Sequence, residues 1–266
     1  MDLSLQHWPA QGRQCGSALL LHGLGEHAGR QQVLAGWLAA AGLQVVAPDL
    51  PGHGRSPGRR GDAASMATLV HSLRPLWESL PDAAPRLLVG HSLGGLIATA
   101  LAAELPSAPR AMVLSSPFFD VGTAPRAWQR IAARVLLRLA PAIGLPTGLD
   151  PRALSHDPAV VAAYRADPLV HDRLSARFYA AITTTQARLP ELARALSAVP
   201  VLLWHGSADR LTSHPATQQL AAQFRAAGSA FLSVPGGFHE LYHDMPAATA
   251  AVRTALEDFL GAVLPR

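Results

Sequence analysis

Short, almost wholly apolar runs recur along the chain at Ala18 to Leu21, Leu43 to Ala47, Arg86 to Val89, Ala111 to Leu114, Val201 to Trp204 and Ala230 to Val234. Runs of this length with no polar alternation read as strands buried on both faces. Between them, Ala- and Leu-rich stretches at about 31–41, 63–80, 93–105, 214–227 and 246–263 carry helical periodicity. Strand and helix in strict alternation predict an α/β fold, a mostly parallel doubly wound sheet with helices on both faces. The alternation stops between about Asp120 and Ala198, where amphipathic helices are separated by Pro and Gly, as in APAIGLPTGLDP. Residues 1–119 and 199–266 are therefore expected to form the core. Residues 120–198 are expected to form a helical cap, inserted before the last two strands and lying over the strand ends where open α/β sheets keep their ligands.

Composition narrows the chemistry. At 266 residues, 49% hydrophobic and 15% charged, the chain is long enough for one large domain with a buried core. No apolar run approaches the roughly 18 to 20 residues that cross a bilayer, and the N-terminal segment does not look like a secretory signal. A soluble, cytoplasmic protein is the expectation. Cys15 is the only cysteine, which excludes an intramolecular disulfide and a cysteine-based zinc cluster. All 22 basic residues are Arg, so Schiff-base, phosphate-loop and Ser-Lys chemistry all fall away. The net charge of +4 is carried by scattered Arg without aromatic interleaving, and no nucleic-acid partner is expected. No His-Glu-x-x-His pattern or other metal spacing occurs. Neither a metal nor a cofactor is expected, and the oligomeric state is left open.

The most informative stretch is Arg86-Leu-Leu-Val-Gly90-His91-Ser92-Leu93-Gly94-Gly95, an apolar strand running through a small-x-Ser-x-small turn into a helix. A serine at such a tight turn has a strained backbone, and the positions two residues away must be small, as Gly90 and Gly94 are. The turn exposes the hydroxyl and sets it at a helix N-terminus, where free N–H groups favour developing negative charge. Ser92 is the candidate nucleophile. It needs a base and a group to orient that base.

Of 12 histidines, His239 follows the last strand through Val234-Pro-Gly-Gly-Phe-His239 and reaches the same sheet edge as Ser92. His91 should point away from the nucleophile, and His22, His53 and His205 read as loop-packing side chains. The acid is either Asp209, after the penultimate strand, or Asp120, after the strand before it. Asp209 is preferred because it completes the chain order Ser, Asp, His. Oxyanion donors are expected from the N–H of Leu93, next to the nucleophile, and of Leu24 in the His22-Gly-Leu-Gly-Glu26 loop.

At these residues the chain resembles the monoacylglycerol lipase and lysophospholipase branch of the α/β-hydrolases, also grouped with the serine aminopeptidase-like (S33) hydrolases. The matching stretches are HGLGEHAGR from His22, APDLPGHGRSPG from Ala47, VGHSLGGLIA from Val89, LSSP from Leu114, DPLV from Asp167, HGSAD from His205 and HELYHD from His239. The resemblance implies an α/β-hydrolase fold, catalytic roles for Ser92, Asp209 and His239, and oxyanion positions at Leu24 and Leu93. Asp49 and His53 in the DLPGHGRS loop read as turn-fixing. Two departures stand out: Gln31 where the family usually has Tyr, and Tyr242-His243-Asp244 where Leu-Asn-Glu is typical. Tyr242 is expected to border the leaving-group pocket.

In the cap, AWQRIAARVLLRLA at Ala127 to Ala140 places Trp128, Ile131, Val135, Leu136 and Leu139 on one helical face and Arg126, Arg130, Arg134 and Arg138 along another. The apolar face, turned toward Ser92, would receive an acyl chain together with Phe118, Phe119, Phe178 and Ile182. The Arg face would meet a lipid surface. The resulting expectation is hydrolysis of a small lipid ester, monoacylglycerol-like or lysophospholipid-like, through an acyl-serine intermediate. A thioester, an aminopeptidase-type amide or acyl transfer on the same triad is the alternative. A non-catalytic ligand-binding chain on this fold is the remote one.

Overall fold

The computed structural model describes residues 2–82, 84–121, 131 and 135–265. The six apolar runs become six adjacent parallel strands: β2 (Gly16–Leu21), β3 (Leu43–Pro48), β4 (Arg86–His91), β5 (Ala111–Ser115), β8 (Val201–Gly206) and β9 (Ala230–Val234). A strand the apolar pattern did not show, β1 (Leu5–Trp8), pairs antiparallel with β3 and closes one edge, giving the order β1-β3-β2-β4-β5-β8-β9. Its Leu-Gln-His-Trp alternates exposed and half-buried positions, which is edge-strand behaviour and not the signature of a strand buried on both faces.

Strand periodicity sorts the core into two layers. On one face Leu19, Leu21, Leu88, Met112, Leu114, Val201 and Leu203 pack beneath α2 (Met66–Glu78) and α3 (Leu93–Glu104). On the other, Ala18, Leu20, Leu87, Val89, Val113, Leu202 and Trp204 pack beneath α1 (Gln32–Ala40) and α8 (Pro246–Val263). α3 is buried along almost its whole length, so the helix that carries the nucleophile at its N-terminus is among the most firmly seated elements.

The insertion between β5 and β8 contains a small antiparallel pair, β6 (Gly144–Pro146) with β7 (Arg173–Ser175), then α4 (Pro158–Ala166), α5 (Ala176–Ala187) and α6 (Leu189–Ala195). Two parts of it belong physically to the core. Leu189, Leu192, Ala193 and Leu196 are buried in the same apolar cluster as α3, so α6 flanks the sheet. The segment from Ala153 to His156 is bound to the loop after β9: Ala153 O and Leu154 O accept from the N–H groups of His239 and Glu240, and His156 Nδ1 meets Asp244 at 2.7 Å. Elsewhere the cap is anchored by the pairing of Arg177 with buried Asp62, by Ser175 Oγ to Asp62 at 2.6 Å, and by His27 to Asp167 at 2.8 Å.

Of the expected helix at 127–140, residues 127–130 and 132–134 lie outside the described residues, as do Arg126, Arg130 and Arg134. Residues 131 and 135–139 are helical, but Ile131, Val135 and Leu139, the stripe expected to face Ser92, are 61%, 49% and 79% exposed. This stripe faces outward. Periodicity defines an apolar face and leaves open what covers it, and nothing among the described residues covers these three side chains.

Candidate active site

β4 ends at His91 and α3 begins at Leu93, leaving Ser92 to make the whole turn with φ 52° and ψ −119°. This strained, left-handed conformation is rare for a residue with a side chain. It survives because the turn is tied on every side: Ser92 N–H donates to Ser115 O at 2.9 Å, and Ser92 O accepts from the N–H groups of Gly95 and Phe118. A Cβ at Gly90 would strike the backbone of Gly94, and one at Gly94 would strike the carbonyl of Leu21, so steric contact enforces the small residues of the motif. The Ser92 hydroxyl makes no hydrogen bond among the described residues. Ser–His contacts commonly tighten only once substrate is bound.

The structure brings Asp209, and not Asp120, to His239. Asp209 Oδ2 lies 2.7 Å from His239 Nδ1, whereas the exposed Asp120 carboxylate turns to its own neighbour, Val121 N–H. The Asp209 side chain is fully buried and receives the N–H groups of Leu211 and Thr212 on Oδ1, at 2.7 and 3.1 Å. Thr212 Oγ1 sits 2.8 Å from Oδ2 and His205 Nε2 3.0 Å from it. Burial disfavours the anion, but His239 and His205 outweigh it and hold the carboxyl well below its usual range. Burial likewise disfavours the imidazolium of His239, yet the charge and hydrogen bond of Asp209 lift its pKa above the ordinary 6.5. His239 is placed by the backbone too, since Ser116 Oγ donates to its carbonyl at 2.8 Å. Ser116 itself has φ 41°, a second strained residue at the sheet edge.

On the opposite side of Ser92 lies the loop after β2. Gly23 is close enough that a Cβ there would press on Ser92 Cβ at 3.1 Å. Gly23 N–H donates to Glu26 Oε1 at 2.6 Å, leaving the N–H of Leu24, like that of Leu93, with no other acceptor among the described residues. Two such donors flanking one hydroxyl can hold an oxyanion. The loop is fixed from behind by a buried polar group. Arg30 bonds Glu26 at 3.2 Å and both oxygens of Glu240 at 2.7 and 2.8 Å, and Gln31 Nε2 bonds Glu26 at 2.9 Å. Burial lifts Glu26 above the usual range, while Glu240 is held below it by His243 and Arg30 against the same penalty. The oxyanion loop and the His239 loop thus share one guanidinium.

Tyr242 corrects the expectation of a leaving-group contact. It is 2% exposed, its hydroxyl donates to Gln31 Oε1 at 3.1 Å, and its ring meets His91 edge-on. It supports the His239 loop from beneath. Gln31 and Tyr242, the two positions singled out in the sequence as departures, are therefore hydrogen-bonded to one another. His91 packs against the His239 ring at 4.8 Å between centroids, with Nδ1 bonded to Ser115.

Phe119, Phe178 and Ile182 are buried in the apolar cluster that includes Leu93, and Phe118 and Leu24 pack at its margin. Asp49 takes the N–H groups of Ala28 and Arg55 at 2.8 Å each, and His53 Nδ1 meets Pro51 O at 3.0 Å, which is turn-fixing geometry. Sequence reading assigned no role to Ser116 and Thr212, and treated His205 as packing. For His205 the available signal was a histidine at the end of a wholly buried strand, four residues before the acid.

Residues 12–246 match the model of the serine aminopeptidase S33 family. The chain is 37% identical over 242 residues to a monoacylglycerol lipase of Mycolicibacterium smegmatis, covering 89% of this chain and 85% of that one. It is 30% identical over 259 residues to the monoglyceride lipase of Homo sapiens, covering 94% and 84%. The crystal structure of a Paleococcus ferrophilus monoacylglycerol lipase superposes with a TM-score of 0.89 at 32% identity, covering 98% of this chain and 99% of that one. The strained serine, the buried Asp-His pair and these likenesses together place the chain in the serine aminopeptidase S33 family of α/β-hydrolases, as a serine hydrolase.

Proposed function

We propose that the protein cleaves monoacylglycerol-like carboxylic esters through an acyl-enzyme on Ser92, without a cofactor. The observation that carries this reading is the buried, donor-saturated Asp209-His239 pair at the sheet edge that also holds the strained Ser92; the N–H groups of Leu24 and Leu93, without other acceptors among the described residues, support it. In the first half-reaction Ser92 Oγ attacks the ester carbonyl carbon as its proton passes to His239. The carbonyl oxygen, now an anion, is received by the N–H groups of Leu24 and Leu93. Collapse breaks the bond to the alcohol, which leaves with the proton from His239. Water then attacks the acyl-serine by the same route, releasing the fatty acid and returning the proton to Ser92. Asp209 keeps the imidazole oriented and stabilises its charge throughout.

The lipid character of the substrate is supported by the names of the relatives and by the apolar side chains of Phe118, Phe119, Phe178 and Ile182 beside the nucleophile helix. The test is turnover across monoacylglycerols, lysophospholipids, nitrophenyl esters of graded chain length and aminoacyl amides. Medium or long acyl esters should be preferred, and Ser92→Ala should abolish both turnover and fluorophosphonate labelling. A preference for acetyl esters or aminoacyl amides would reject the lipid reading.

We infer that the cap's apolar flank takes part in contact with a lipid surface. Ile131, Val135, Leu137, Leu139, Ile143 and Leu145 are all exposed, and no described helix is long and apolar enough to cross a membrane. Side chains of this kind sink to the depth of the acyl boundary. Partitioning onto neutral phosphatidylcholine vesicles should be insensitive to salt and reduced several-fold by Val135→Asp with Leu139→Asp. Binding that requires anionic lipid and disappears with salt would return the role to the Arg face.

A further inference from the structure

The acid of the triad is held by two imidazoles. His205 is the penultimate residue of β8, its side chain fully buried, and its Nε2 stands 3.0 Å from the same Asp209 oxygen that takes His239 Nδ1 at 2.7 Å. Because that carboxylate is ionised, Nε2 must carry the proton of the hydrogen bond. On the other side of the ring, Nδ1 lies 2.9 Å from Thr217 Oγ1, a hydroxyl on α7 (His214–Ala221) that is itself buried and has no other partner among the described residues. A threonine hydroxyl donating to Nδ1 selects the tautomer protonated on Nε2. A continuous chain, Thr217 to His205 to Asp209 to His239, therefore runs from a core-flanking helix to the catalytic base.

Counting donors shows what this second imidazole does. The carboxylate offers about four lone-pair sites, and five groups converge on it: two N–H groups on Oδ1, and His239, His205 and Thr212 Oγ1 on Oδ2. The one that can yield is Thr212, whose hydroxyl also reaches Ser116 O at 3.3 Å. His205, sealed in the core, has as its alternative among the described residues only the longer contact of Nε2 with Thr212 Oγ1, at 3.3 Å against 3.0 Å to Asp209. A carboxylate whose lone pairs are filled by fixed donors cannot rotate and is a weaker base. It stabilises imidazolium by charge and leaves the proton where it is.

We propose that His205 is a positioning residue for the triad, whose Nε2–H, aligned by Thr217, orients Asp209 toward His239 and keeps the carboxylate from drawing the proton off His239 Nδ1. The proposal rests on the acyl-serine reading above. Other titratable groups facing this chain are His214 on α7, its ring 5.6 Å from that of His205, and, on the His239 side, His91, Glu240 and Glu26. All four stay in place in the variants that follow.

The experiment measures kcat and KM on a nitrophenyl ester and the rate of fluorophosphonate inactivation, each across pH, for wild type, His205→Leu, His205→Gln and Thr217→Val. Losing a fixed donor to a buried charge should lower kcat about 10- to 100-fold in His205→Leu with KM within about 2-fold. The acid limb of the inactivation profile should move to higher pH, because an unquenched Asp209 binds the imidazolium more strongly. Gln, which keeps an N–H at similar reach, should recover most of kcat. Thr217→Val should lose several-fold and shift the limb the same way, and it carries the test by itself if His205→Leu does not fold. Equal losses in His205→Leu and His205→Gln with an unmoved limb would mean that the ring merely packs, and a limb unmoved in Thr217→Val would overturn the relay. If wild type escapes labelling, or Ser92→Ala is labelled, it is the acyl-serine reading that fails. Labelling lost only with Ser92, alongside unaffected His205 variants, rejects this proposal alone.

Discussion

At the scale of single residues, the Asp209-His239 pair makes a signed prediction about pH. His239 must be neutral to accept the proton of Ser92, and the neighbouring carboxylate holds its pKa above 6.5. The kcat/KM profile should therefore climb through a midpoint above 6.5 and reach its plateau on the alkaline side; a midpoint at or below 6.5 would contradict the pairing. Asp209→Asn should cost about 10⁴-fold in kcat by favouring the wrong imidazole tautomer, while Asp120→Asn should stay within about 2-fold, since its exposed carboxylate meets a neighbouring N–H and not His239. Ser92 was legible in the sequence because its requirements are local: small residues two positions away, a strand before and a helix after. Asp209 and His239 were legible through chain order. His205 was not, since its role depends on which oxygen of Asp209 its ring reaches, and that is set by how the turn after β8 folds the acid back onto the strand.

At the scale of elements, two loops far apart in sequence are joined through Arg30. Its guanidinium lies between Glu26 and Glu240 with a side-chain exposure of 9%. Its removal leaves two buried carboxylates to repel one another at the rear of the oxyanion loop. Arg30→Met should lower unfolding stability by about 3–5 kcal/mol, measured by urea denaturation at pH 7, and should reduce kcat more than it raises KM. A change below about 1 kcal/mol would mean that Glu26 and Glu240 are stable without it. Sequence pattern located the six parallel strands and the helices around them, because burial on both faces leaves an unbroken apolar signal. It did not show β1, whose edge position asks only for alternation. It also turned the cap stripe inward, because the periodicity of Ile131, Val135 and Leu139 is the same whether core or lipid covers them.

At the scale of the whole molecule, buried histidines set acid sensitivity. Burial pushes His22 down to about 3 and His53 well below its ordinary value, while His171, packed at a tilt against His53 from the cap, is lowered to about 4. In the unfolded chain each titrates near 6.5, so below that pH the unfolded state takes up protons that the folded state refuses. Stability should be flat with respect to these three above 6.5. It should fall by on the order of 1 kcal/mol per pH unit for each fully buried ring as the pH drops from about 6.5 toward 4. His239 acts in the opposite sense, but only between 6.5 and its raised value. Urea midpoints at pH 7, 6 and 5 would read this, and a midpoint as high at pH 5 as at pH 7 would refute it.

The amino-acid order by itself determined what is set by neighbours along the chain: the parallel sheet, the turn that strains Ser92, the absence of lysine and disulfide chemistry, and the place of the insertion between β5 and β8. Only the tertiary structure decided which acid meets His239, that Tyr242 lies beneath the site, that Gln31 is its partner, and that the cap's apolar stripe looks outward. The division has a physical cause. Backbone strain and burial periodicity act over a few residues, whereas hydrogen bonds to a shared carboxylate or guanidinium depend on where separate loops are brought together, and the same sequence pattern is compatible with either outcome.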